Sequence, residues 1–138
     1  MSRARQSDVL IRNEAFYNAF TTRDLEAMEA LWAGELHVSC IHPGATPLFG
    51  RDAVMESWAQ MLSGPVKTSL QCLEPKVHFL SEELALVVCY ERIGGETLTA
   101  TNIFALESSD WVLVHHQAGP LASEMAAHAD VPTPRLLQ

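Results

Sequence analysis

From residue 67 to residue 119 the chain reads as strand after strand: KTSLQCLEPKVHFL, LALVVCYERI, ETLTATNIFAL and WVLVHHQAG. β-Branched and aromatic residues recur through these runs, and Gly94-Gly95 and Ser108-Ser109-Asp110 interrupt them. Turns that short join antiparallel neighbours, so the spacing predicts a four-stranded meander. Pro75 cannot donate to a ladder and therefore requires a bulge or an edge position in the first strand. Such a sheet needs a cover for one face, and the first sixty or so residues can supply it.

Those residues carry the helical period. Val9, Asn13, Phe16 and Phe20 form a stripe over residues 8–21, flanked by Leu10 and Tyr17. Asp24 can cap a second helix, which turns Leu25, Met28, Leu31 and Trp32 inward before Gly34 stops it. GRDAVMESWAQML places Val54, Trp58, Met61 and Leu62 on one face of a third helix, ended by Gly64-Pro65. Between the second and third helices lies HVSCIHPG, residues 37–44. On a strand, Val38, Cys40 and His42 share one face and His37, Ser39 and Ile41 the other, with Pro43-Gly44 as a turn. Three helices followed by a sheet make an α+β domain spanning residues 1–138, with a core at 8–120 and a C-terminal arm at 121–138.

Composition narrows the partners. Seventeen acidic residues stand against nine Lys and Arg, a formal charge of −8, and no basic run occurs. Phosphate backbones and anionic lipid are repelled, so no nucleic acid and no membrane is expected as a partner. The N-terminal MSRARQSD is polar, and no apolar run reaches the ~20 residues that span a bilayer. Cys40, Cys72 and Cys89 are odd in number and widely spaced, which fits a reduced cytoplasmic setting.

FYNAFTTRDLEAMEALWAGELHVSCIHPG, LFGRDAVMESWAQML, ATNIF and WVLVHHQAGP together resemble the nuclear-transport-factor-2-like superfamily over roughly residues 8–120, in its SnoaL-like and kinase-association-domain-like branch. The resemblance implies a cone, the cystatin-like α+β barrel, in which a curved antiparallel sheet wraps the first helix. It also implies an apolar pocket between sheet and helices and a homodimer formed through the outer sheet face. The superfamily hosts isomerases, dehydratases, cyclases and non-catalytic modules, so the fold leaves the function open. Its ketosteroid isomerases use a tyrosine on the first helix and a strand aspartate; those positions fall here at Phe16 and at Cys40 or His42. That apparatus is not matched, and Tyr17 is turned by about 100° from the tyrosine position.

The remaining candidate chemistry is weighed residue by residue. Cys40 and His42 lie side by side without a third group to orient them, so Cys40 reads as buried wall. His37, His42, His115 and His116 lack tight metal-ligand spacing, and adjacent strand histidines point apart, so no metal and no cofactor are expected. Alternation sets Trp111, Leu113, His115 and Gln117 against Val112, Val114, His116 and Ala118. The first set mixes apolar and polar groups as cavities do. Phe16, Trp32, His42, Trp58, Asn102 and His115 are thereby expected to line a pocket for a small, largely apolar molecule, with His42 at its rim. The alternative is a non-catalytic module that dimerises through its sheet.

Overall fold

The computed structural model describes residues 3–64 and 69–122; the expected C-terminal arm lies almost wholly outside the described residues. Three helices, α1 (Arg3–Thr22), α2 (Leu25–Leu31) and α3 (Arg51–Leu62), pack on six strands: β1 (Ser39–Ile41), β2 (Leu48–Phe49), β3 (Leu70–Ser81), β4 (Leu84–Ile93), β5 (Glu96–Glu107) and β6 (Asp110–Pro120). The sheet runs β2-β1-β6-β5-β4-β3. Strands β3 to β6 form the antiparallel meander. The sheet as a whole is mixed, because β1 lies parallel to β6 and antiparallel to β2. Two residues carry too little periodicity to announce β2, and a parallel neighbour has no short turn to reveal it.

Local chemistry accounts for the helix ends. Asp24 accepts a hydrogen bond from the Ala27 amide at 3.0 Å and caps α2. At its other end, Arg51 Nη1 donates to the Trp32 and Ala33 carbonyls and Nη2 to that of Glu29, each at 2.9 Å. This guanidinium satisfies carbonyls that the short helix leaves open and joins it to α3. Glu107 accepts hydrogen bonds from the Gly34, Glu35 and Leu36 amides and fixes the path into β1. Among the described residues the core is a single cluster that includes Val9, Phe16 and Tyr17 of α1, Val54 and Trp58 of α3, and Ala85, Val87, Phe104 and Leu113 of the sheet.

Register shifts decide which strand residues face that core. The β3–β4 register shifts between Leu73 and Lys76, around Pro75. Strand β3 is also the sheet edge, so Pro75 meets both conditions under which a strand tolerates it. The β5–β6 register shifts as well: Ile103 pairs with His115 but Phe104 with Leu113, which leaves Val114 unpaired. An extra residue flips the parity of everything beyond it.

Candidate functional site

The β6 bulge corrects the alternation reading directly. Leu113 and His116, three apart, both point into the cone, and His116 sits opposite Asn102. His115 is turned to the other face, where its Nδ1 is 2.7 Å from Ser39 Oγ. Of the six residues expected to line a pocket, Phe16, Trp58, His42 and Asn102 converge on the interior. Trp32 is buried beside β6 through its bridge to Leu113. Their rings pack closely: the Phe16 ring lies 5.5 Å from Trp58 and 4.9 Å from His116, centroid to centroid.

Behind this aromatic wall lies a polar cluster that the sequence reading did not assemble. Asn13 and Tyr17 are one helical turn apart on α1 and face the sheet. On β4 the inward parity runs Ala85, Val87, Cys89, Glu91, so a glutamate occupies an inward position, 2% exposed. Asn102 Nδ2 donates to Asn13 Oδ1 at 2.8 Å and to Tyr17 Oη at 3.1 Å. With its amide nitrogen so used, Asn102 Oδ1 must accept, and His116 Nδ1 donates to it at 2.5 Å. Tyr17 Oη donates to Glu91 Oε2 at 2.7 Å. His116 Nε2, left as a lone pair in the neutral ring, stands 3.9 Å from the same carboxylate oxygen.

Burial sets the proton affinities. It raises the Glu91 carboxyl to about 7, against the opposing pull of the Tyr17 hydrogen bond. It lowers the His116 imidazole to about 3, helped by the neighbouring His42 and His115. Tyr17 is raised well above the usual phenol range by burial and by Glu91. At neutral pH the cluster therefore holds a neutral histidine beside a carboxyl that is about half protonated. The Glu91 carboxyl can give or take a proton near pH 7, the condition for efficient general acid–base chemistry, with the neutral imidazole beside it.

HVSCIHPG forms β1 and then a turn closed by the Ala45 amide donating to the His42 carbonyl at 2.9 Å, with Gly44 at φ +72. The positive φ is one that glycine adopts without strain. Cys40 is fully buried and its thiol is pushed up to about 12, first by burial and then by Glu91. A thiolate nucleophile is thereby disfavoured. Its Sγ lies 3.7 Å from His42 Nε2. Ser57 Oγ donates to the Val54 carbonyl at 2.7 Å, so it accepts from His42 Nε2 at 2.9 Å. His42 is thus held on α3 with its other ring nitrogen free of the proton, and Ser57 is no activated nucleophile. His42 stacks edge-on against Trp58 at 4.8 Å. Trp58 Nε1 is buried and makes no hydrogen bond among the described residues. No group of three or more His, Cys, Asp or Glu among the described residues is arranged to hold a metal ion.

Cavities open onto the surface among the described residues. One of about 350 Å³ lies between α1 and β3, with Tyr17 and Cys72 in its wall. Another of about 460 Å³ lies at the start of α1 against Trp111 and Asp110. The six residues expected to line a pocket contribute to neither.

Three helices packed on a six-stranded sheet are the arrangement this chain shares with solved proteins of the nuclear-transport-factor-2-like family and of cystatin-like fold. Within that class the chain belongs to the SnoaL-like domain family, whose model matches residues 9–123. It is similar to a protein from Streptomyces avermitilis with a provisional dehydratase assignment in the NTF2-like family, at 31% identity and a TM-score of 0.78, over 85% of this chain and 96% of that one. It is also similar to a provisionally assigned calcium/calmodulin-dependent protein kinase type II association domain from Thiobacillus denitrificans, at 35% identity and a TM-score of 0.72, over 80% and 93% of the two chains. An uncharacterised Caulobacter vibrioides protein with a cystatin-like fold shares the fold at 14% identity and a TM-score of 0.77, over 96% and 98%. Among curated proteins none matches significantly.

Proposed function

We propose that this domain binds a small, largely apolar molecule against the Phe16–Trp58 wall and exchanges a proton with it through Tyr17, Glu91 and His116. The observation that carries the reading is the buried, hydrogen-bonded Tyr17–Glu91–His116–Asn102 cluster. A carboxyl and an imidazole inside a core cost several kcal/mol that an apolar filling would avoid. Groups with strongly displaced proton affinities gather at sites of chemistry. The unpaired Trp58 Nε1 and the rim imidazole of His42 add a donor and an acceptor for the ligand's polar end. The provisional dehydratase assignment of the Streptomyces neighbour is in keeping with proton transfer. A thermal-shift panel of uncharged ring compounds bearing a carbonyl or hydroxyl tests it. Binders should raise the melting temperature, and Tyr17→Phe and His42→Ala should each weaken them about tenfold, the loss of one hydrogen bond. A panel without binders, or affinities indifferent to both variants, would refute the site.

A second reading has its own support. The outer face of β4 and β5 presents Leu86, Val88 and Ile103, partly exposed and uncovered by any described helix. We propose that this face pairs two copies of the chain, since partly exposed apolar sheet of that kind commonly marks an interface and two-fold closure is the commonest arrangement. The Thiobacillus neighbour's provisional association-domain assignment agrees with it. Pairing and ligand binding use opposite faces of the sheet and can coexist. Three free cysteines, two of them buried, favour a reducing cytoplasmic location. No described helix is long and apolar enough to cross a membrane.

A further inference from the structure

The polar cluster is approached from an unexpected side. Along α1, Asn13, Tyr17 and Thr21 follow one another at four-residue intervals, a stripe about 12 Å long. Its two ends are tied to strand β3. Asn13 Nδ2 donates to Cys72 Sγ at 3.5 Å. Thr21 Oγ1 donates to the Leu70 carbonyl at 3.2 Å and accepts from the Leu70 amide at 3.1 Å. Beside the stripe, the 350 Å³ cavity lies between α1 and β3, with Tyr17, Thr21, Leu70 and Cys72 in its wall. Tyr17 forms part of its wall while its hydroxyl reaches Glu91 and Asn102 behind. The wall also holds Glu14, Asn18, Ser69, Gln71 and Cys72: one carboxylate, amides and a hydroxyl, and no cation among the described residues.

We infer that this α1–β3 window is the ligand's entrance to the Tyr17 end of the cluster, and that it admits uncharged or cationic molecules while rejecting carboxylates and phosphates. The inference rests on the proposed site for its purpose, but its geometry stands alone. An anion entering here meets Glu14 and finds no Lys, Arg or His among the described wall residues to pair with it, within a chain of net charge −8. A neutral or cationic group meets the amides of Asn18 and Gln71 and the hydroxyls of Thr21 and Ser69, beside the apolar Leu70 and Leu73.

Cys72 supplies the probe. It lies in the window wall and is half-buried, whereas Cys40 and Cys89 are buried. Methanethiosulfonates of similar size carrying an ammonium, no charge or a sulfonate should label native Cys72 in that order of rate, the cation about tenfold faster than the anion. Rates are normalised to the same reagents on an exposed Thr46→Cys thiol in a Cys72→Ser background, which removes the effect of overall charge. Glu14→Gln should bring the three normalised rates together, and Gln71→Trp should slow all of them. The cationic adduct should also lower the pH at which Glu91 titrates, read from the pH dependence of stability, and that shift should vanish in Glu91→Gln. Cys72 labelling no faster than Cys40, charge-blind rates, or an adduct without effect on Glu91 would each overturn the inference. None of those results depends on ligand binding, so the window can fail while the proposed site stands, and the reverse.

Discussion

Replacing Glu91 by glutamine keeps the shape of the side chain and the acceptor for the Tyr17 hydroxyl while removing the proton that titrates. In the unfolded chain the carboxyl releases its proton near 4.5; in the cone it holds the proton to about 7. Between those values the native state binds one proton more than the unfolded state, so its stabilisation is complete below pH 4.5 and is lost as pH rises through 7. A gap of that width corresponds to about 3 kcal/mol, with no screening discount because the side chain is buried. His116 works in the opposite sense. Its imidazole takes a proton at 6.5 when unfolded but only near 3 in the cone, so stability falls as pH drops from 6.5 towards 3. In the unmodified chain the two slopes cancel between pH 4.5 and 6.5, where either state holds one proton on the pair. Glu91→Gln exposes the histidine slope alone, about 1.4 kcal/mol per pH unit. The variant should match the parent near pH 4 and exceed its stability by about 3 kcal/mol at pH 8, on the order of 10 °C in melting temperature. Urea titrations followed by tryptophan fluorescence at half-unit steps from about pH 4 to 9 measure the difference. A difference that stays constant with pH, or that favours the parent at pH 8, would refute a carboxyl held neutral by burial.

Three further outcomes follow from the same contacts. Asn102→Leu strips partners from Asn13, Tyr17 and His116 at once, and should cost about 2–4 kcal/mol in urea unfolding; a cost under about 0.5 kcal/mol would mean the network is not formed. Cys40→Ser puts a hydroxyl where a fully buried thiol packs and should cost about 1–3 kcal/mol, while native Cys40 should react with thiol reagents far more slowly than Cys72; rapid labelling of Cys40 at neutral pH would contradict its burial. Light scattering at micromolar concentration should give twice the 15.2 kDa chain mass, and Val88→Lys should halve it; a monomeric mass in the parent would remove the sheet-face pairing.

The α+β order, the three helices with the Asp24 cap, the Pro75 edge strand and the turn at Pro43-Gly44 were all written in the chain, because each depends on local spacing. Local spacing also turned Phe16, Trp58 and Asn102 inward. It failed at β6, where one unpaired residue, Val114, exchanged the faces of His115 and His116, and where the cause is a register with β5 that no window of β6 contains. It failed more completely for Glu91. A glutamate after Leu, Val, Cys and Tyr near the end of a strand reads like any solvated rim residue. Its inward parity was available from Ala85, Val87 and Cys89, but what makes it unusual is the company that α1 and β6 bring to it: Tyr17 at 2.7 Å and His116 at 3.9 Å. Periodicity reports which face a residue takes, since that is a property of one element. Proton affinity depends on burial and on charges contributed by other elements, so it came into being only when helix, meander and bulge closed around the same few ångströms.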